Sequence, residues 1–130
     1  MKNSFTINGN NISDIASFYN EFNRAFMADE DWKLGPNLDA LNDMLYGGYG
    51  AIKGGQPVTL IWQNMEKSRA DLGFDVTRNF YRSKLQNPEL FDCKKIKKDL
   101  AELERGTGAT YFEIVLQIIA DHPNIKLLAR

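Results

Sequence analysis

Asp39 and Asp43 stand four residues apart in the segment LGPNLDALNDMLYGG, Leu34 to Gly48, and are the side chains best spaced to do chemistry. Asn37 just before them is a good helix cap, because its side-chain oxygen can accept from the free N–H groups of a first turn. From Leu38 to Tyr46 the apolar Leu38, Leu41 and Leu45 then recur at helical spacing on one side. Asp39, Asn42, Asp43 and Tyr46 fall on the other. Two carboxylates on one helix face can work as an acid and base pair or form a fixed anionic surface. A nucleophile with a paired base is missing from the sequence, as is any cluster at metal-ligand spacing, so a hydrolase is disfavoured. Like charges four residues apart cost a helix about 0.2–0.5 kcal/mol, and only Asp39, in the first turn, gains from the helix dipole. The plain alternative is an ordinary solvated face, where charged residues are common. Taken alone the two residues favour that reading, although an acidic face held rigid for a cationic partner would also explain the pairing.

Charge distribution supports the acidic-face reading. The chain has 130 residues and a formal net charge of -1, yet residues 1–50 hold seven acids against three bases and residues 51–130 hold ten against thirteen. Phosphate binding needs a positive surface, so direct nucleic-acid binding is not expected of the first half, and a basic protein is the better partner. Lys94, Lys95, Lys97 and Lys98 look basic enough to touch nucleic acid, but Lys95 with Asp99 and Lys98 with Glu102 have the spacing of helical ion pairs. They are expected to form a solvated helix face. Cys93 is the single cysteine and lies on an apolar stripe, which suggests the core. With no possible internal disulfide and no secretory pattern near the start, a cytoplasmic protein is expected. The longest apolar stretch, Ile114 to Ala120, is far short of the roughly 20 residues that span a bilayer, so no membrane association is expected. Gly47, Gly48, Gly50, Gly54 and Gly55 lack the Lys-Ser/Thr ending of a phosphate-binding loop and read as a connection. His122, the only histidine, reads as a helix-end residue; no cofactor and no metal is expected.

The elements that must position the acidic helix follow from pattern. Ser4 to Ile7 predicts a strand ended by the turn pair Asn8-Gly9. Ser13 is a candidate cap for a first helix whose stripe is Ile15, Phe18, Tyr19, Phe22 and Phe26. An acidic connection through Asp29, Glu30 and Asp31 leads to the Leu38–Tyr46 helix, then to a glycine-rich loop reaching Gln56. Val58 to Trp62 predicts a buried strand, and Met65 to Leu72 a short helix stopped by Gly73. Phe74 to Leu90 mixes aromatics with arginine, asparagine and proline, and predicts an irregular or partly helical excursion. Helical spacing returns from Asp92 to Glu104; Thr110 and Glu113 form a capping box for a buried helix from Tyr111 to Asp121. Pro123 ends it, and Ile125 to Ala129 predicts a last strand. Strands separated by helices imply parallel pairing, hence a small α/β layer fold.

Certain motifs are more specific than the order of elements. The first strand ends in Ile7, Asn8 and Gly9, with Ile12 in the approach to the next helix; Gly35, Asn37, Leu38, Asp39, Ala40, Leu41 and Asp43 follow, then Gly47 after the helix. Leu60 and Trp62 mark the central strand, and Val115, Leu116 and Gln117 the last helix. On these residues the chain resembles the barstar-like ribonuclease inhibitors. The resemblance implies an α/β fold with a small three-stranded parallel sheet packed with helices. A single domain over 1–130 is expected, with an extra helical insertion at about 73–106 that the resemblance does not cover. The resemblance also implies that the acidic helix plugs the basic RNA-binding cleft of a cationic ribonuclease. Asp43 would be the central anion, Asp39 a hydrogen-bonding neighbour, and Asp121 a further acidic contact.

Departures from the family pattern shape what partner is expected. Asn42 stands where the family has an aromatic, Gly48 where it has tryptophan, and Lys33 and Leu34 where it has paired tyrosines. Hot spots in interfaces usually include aromatics, so Trp32, Tyr46 and Tyr49 are candidate replacements. The partner-binding set is therefore Asp39, Asp43, Asn42, Tyr46, Gly47, Trp32 and Asp121. The expectation is a non-enzymatic inhibitor, monomeric when free, of the kind that serves as an immunity protein against a nuclease toxin. The alternative keeps the fold and gives it a regulatory or other non-nuclease partner.

Overall fold

The computed structural model describes residues 3–130. Three strands, β1 (Ser4–Asn8), β2 (Val58–Gln63) and β3 (Ile125–Ala129), form one parallel sheet in the order β1-β2-β3. Phe5 and Leu127 flank Leu60 in the register, so the central strand is bonded on both sides. Parallel neighbours need crossovers. The first consists of a short 3-10 turn, α1 (Ile15–Phe26) and α2 (Leu38–Tyr46); the second consists of α3 (Met65–Asp71), α4 (Phe74–Leu85), α5 (Cys93–Glu104) and α6 (Tyr111–Ala120). The fold is the α/β arrangement with a three-stranded parallel sheet expected from the sequence.

One face of the sheet carries the core. Phe5 and Ile7 of β1 and Val58, Leu60 and Trp62 of β2 are buried on that face, while Thr59 and Ile61 between them are only half-buried. The sequence run Val58 to Trp62 reads as apolar on both sides, but the strand alternates. α1 lays Phe18, Phe22 and Phe26 against this face, with the Phe18 and Phe22 ring centroids 4.6 Å apart and Phe22 edge-on to Trp62 at 5.9 Å. Fully burying each such side chain contributes about 1.5–3 kcal/mol. Polar tips are satisfied where they are buried: the Trp62 indole N–H donates to Ser68 Oγ at 2.9 Å, and the Tyr19 and Tyr111 hydroxyls meet at 2.7 Å. Burial pushes the Tyr111 hydroxyl up to about 12.

Three local expectations are corrected. The α1 cap is Asp14, not Ser13: Asp14 Oδ1 accepts from the Ser17 N–H at 2.8 Å and Ser17 Oγ accepts from the Asp14 N–H at 3.0 Å. A carboxylate has the advantage there because it also opposes the helix dipole. The stretch Phe74 to Leu90, expected to be irregular or partly helical, is helical over Phe74–Leu85, a regular twelve-residue helix. Its aromatic face is masked in sequence by basic residues that fold back over the rings, Arg78 above Phe74 at 5.2 Å and Lys84 above Phe80 at 4.3 Å. Cys93 is half-buried rather than core, and of the two expected lysine pairs on α5 only Lys95–Asp99, at 3.2 Å, forms among the described residues.

The outer edge of β1 is closed by side chains. Glu21, only 3% exposed, accepts from the Asn8 backbone N–H at 2.7 Å and from both Arg24 Nε at 2.9 Å and Nη2 at 2.7 Å. Arg24 Nη2 also donates to the Thr6 carbonyl at 2.9 Å. One ion pair thus satisfies an unpaired donor and an unpaired acceptor of the edge strand. Burial would raise the Glu21 carboxyl, but the hydrogen bonds from Arg24, Asn8 and Asn11 and the Arg24 charge outweigh it and hold it below its ordinary value.

Candidate functional site

α2 is fixed at both ends before its exposed face is considered. Asn37 Oδ1 accepts from the N–H groups of Asp39 at 2.8 Å and Ala40 at 3.1 Å. At the other end Gly47 turns left-handed, with φ 88°, and its N–H returns to the Met44 carbonyl at 3.0 Å. A Cβ at Gly47 would press on the Gly54 backbone, 2.7 Å from its carbonyl oxygen, so the glycine loop packs directly against the helix end. Leu41, Met44 and Leu45 are fully buried and anchor the helix to the core.

The opposite face is the acidic one. Asp39 and Asp43 are exposed, and neither forms an ion pair among the described residues. Tyr46, 63% exposed, extends the face by one turn. Behind it the Tyr49 hydroxyl donates to the Ala40 carbonyl at 2.7 Å, and Trp32 stands edge-on to Tyr49 at 4.7 Å. Burial first and the Asp43 charge second push the Tyr49 hydroxyl up. Asp39 is close enough to favour the charged form of Lys84 on α4, although burial and the nearby Lys95 prevail and lower that lysine's pKa.

Asn42 is half-buried because it is tied to a residue that sequence reasoning left as an ordinary helix end. His122, 2% exposed, meets Asn42 Oδ1 through Nε2 at 2.7 Å, and its ring lies edge-on to Tyr46 at 4.4 Å. Burial lowers the imidazole's pKa, partly offset by Asp121. A neutral ring donating from Nε2 fits this geometry. His122 thus connects the end of α6 to the exposed helix, and its chain neighbour Asp121, exposed, accepts from Gln117 Nε2 at 3.0 Å. Of the expected site residues, the structure joins Asn42 and Tyr46 through His122, sets Trp32 on Tyr49 behind α2, and makes Gly47 the helix terminus. Only the adjacency of His122 to the end of an apolar helix signalled its role in the sequence.

Chemically the surface offers anions without a proton relay: the one imidazole is occupied by an amide, and among the described residues no group of three His, Cys, Asp or Glu side chains could hold a metal. No helix among the described residues is long and apolar enough to cross a membrane. Such a surface binds a cationic partner more readily than it turns over a bond. A search of the curated proteins finds no match. Residues 2–82, which contain β1, α1, α2, β2, α3 and most of α4, match the family described as Barstar (barnase inhibitor). With the parallel sheet, the capped acidic helix and that match over more than half its length, the chain belongs to the Barstar family.

Proposed function

We propose that this protein is a stoichiometric ribonuclease inhibitor that seats the exposed face of α2 in the basic RNA-binding cleft of its target. The observation that carries this reading is the pair Asp39 and Asp43, exposed, without ion pairs among the described residues, and mounted on a helix anchored by the buried Leu41, Met44 and Leu45. Preorganised anions need little reorganisation to replace substrate phosphates. Asp43 is the central anion in this reading, Asp39 and Asp121 flank it, and Asn42, Tyr46, Gly47 and Trp32 complete the contact. A cytoplasmic role guarding the cell against a nuclease toxin suits such an inhibitor.

A panel of small basic ribonucleases that includes barnase tests it by titration against RNA hydrolysis. Stoichiometric inhibition of one of them, lost with Asp43→Ala, is the expected result; full activity of every enzyme in the panel opposes it. A second reading, a non-nuclease partner on the same face, is favoured by Lys33, Leu34, Asn42 and Gly48 standing where the family has aromatics. Recovery on the immobilised chain of a partner that cleaves no RNA supports that second reading.

A further inference from the structure

The acidic face is too small to be a whole interface. α2 has nine residues and is about 13 Å long, whereas stable protein contacts take about 20–30 residues from each side. The question is which neighbouring surface completes it. At the Leu38 end, α2 borders a cleft of about 490 Å³. Its apolar walls are Leu38 of α2, Phe80 of α4, Phe91 just before α5, Ile96 in the first turn of α5, and Ile114 of α6. Phe91 in this wall and its chain neighbour Leu90 are 39% and 69% exposed and are among the few large apolar side chains left in water among the described residues. Clustered exposed apolar groups of this kind mark contact sites more often than isolated ones do.

Charge distinguishes the cleft from the face beside it. In the cleft the cations Lys84 and Lys95 offset two of the three acids Asp92, Asp99 and Glu102, with Lys95 paired to Asp99 at 3.2 Å and Lys84 lying over the Phe80 ring at 4.3 Å and the Phe91 ring at 5.2 Å. A near-balanced, aromatic-walled opening accepts an apolar group with a flat face and does not reward a strongly charged one. The unpaired carboxylates of α2 do the reverse. Leu38 belongs to both surfaces, and Asp39 is close enough to act on Lys84 at the mouth of the cleft. A partner that covers Asp39 therefore reaches the opening.

We infer that the cleft between Leu38 and the α4–α5 hairpin receives an aromatic or aliphatic side chain from the same ribonuclease, presented by a loop at the rim of its basic cleft. This rests on the inhibitor reading and deepens it. α5 and the residues that lead into it lie beyond the segment matched by the family, which ends at residue 82. The hairpin then supplies the anchor pocket that the missing family aromatics do not, and it selects among basic nucleases that α2 alone would treat alike.

The test uses the full chain with the enzyme that it inhibits in a panel of small basic ribonucleases including barnase. Phe91→Glu and Leu90→Glu are each expected to raise the dissociation rate at least tenfold and leave association within twofold. Leu90 is largely exposed, so its substitution keeps the fold, which circular dichroism checks. Hydrogen exchange on the unaltered complex provides a readout independent of the variants: amides of residues 86–96 should slow along with those of α2. Dissociation within twofold of the unaltered chain for both variants, or protection confined to α2, overturns the inference and leaves the inhibitor reading standing. Failure of the unaltered chain to inhibit any enzyme in the panel overturns both.

Discussion

His122 Nε2 and Asn42 Oδ1 meet at 2.7 Å across eighty positions of sequence, and this contact joins the end of α6 to the helix that carries the acidic face. Because burial lowers the imidazole's pKa, its neutral form is the one that the fold selects. The unfolded chain binds a proton more readily, near the ordinary value of about 6.5. Stability from this site is therefore present above pH 6.5 and is lost as pH falls through the lower folded-state value. A proton NMR titration should place the ring below 6.5, and denaturation midpoints should fall between pH 7.5 and 5.5 more steeply in the native chain than in His122→Gln.

Removing Asp43, the central anion of the proposed contact, tests the inhibitor reading directly. Truncating one member of a charge pair that is buried in a complex costs about 2–5 kcal/mol. Asp43→Ala is expected to lose affinity on that scale, mostly through faster dissociation, and raised salt should chiefly slow association. Stopped-flow association and displacement kinetics at two ionic strengths separate the two effects.

Gly47 and Gly54 both have positive φ, 88° and 60°, but only one has a crowded Cβ direction. Gly54→Ala should cost only the left-handed penalty, about 1–2 kcal/mol. Gly47→Ala incurs the same penalty and also drives a methyl group into the Gly54 backbone, so it should destabilise more and loosen the end of α2. Urea midpoints of the two variants, compared side by side, give the order.

Glu21 offers a test of the sheet edge. Glu21→Ala leaves the Asn8 N–H without its acceptor and Arg24 without its partner, and should cost about 2 kcal/mol. The carboxyl is held below its ordinary value in the fold. Its contribution is thus present above the unfolded pKa of about 4.3 and is lost as pH falls through the folded one. The stability gap between native and variant chains in urea should narrow toward pH 3.

The acidic helix was legible almost to the residue, because Asn37, the spacing of Leu38, Leu41 and Leu45, and Gly47 are all local signals. The capping box of Thr110 and Glu113 and the limits of β3 were legible for the same reason. Signals that depend on distant chain were not. His122 acquires its role from Asn42 and Tyr46, and Glu21 from Arg24 and the edge of β1; neither partner set forms a periodic pattern around the residue itself. α4 was obscured because Arg78 and Lys84, which read as breaks in an apolar stripe, lie along the rings of Phe74 and Phe80. The family resemblance singled out Asp39 and Asp43 as contact candidates but said nothing of what holds their helix in place.

The guanidinium of Arg24 and the carboxylate of Glu21 occupy the rim at which another strand would have to add. Displacing them would strand a charge that water scarcely reaches, so copies of the protein have little incentive to join edge to edge through β1. This small clasp lets the protein stay dispersed at high concentration, because that side of the sheet offers no strand for a neighbour to extend.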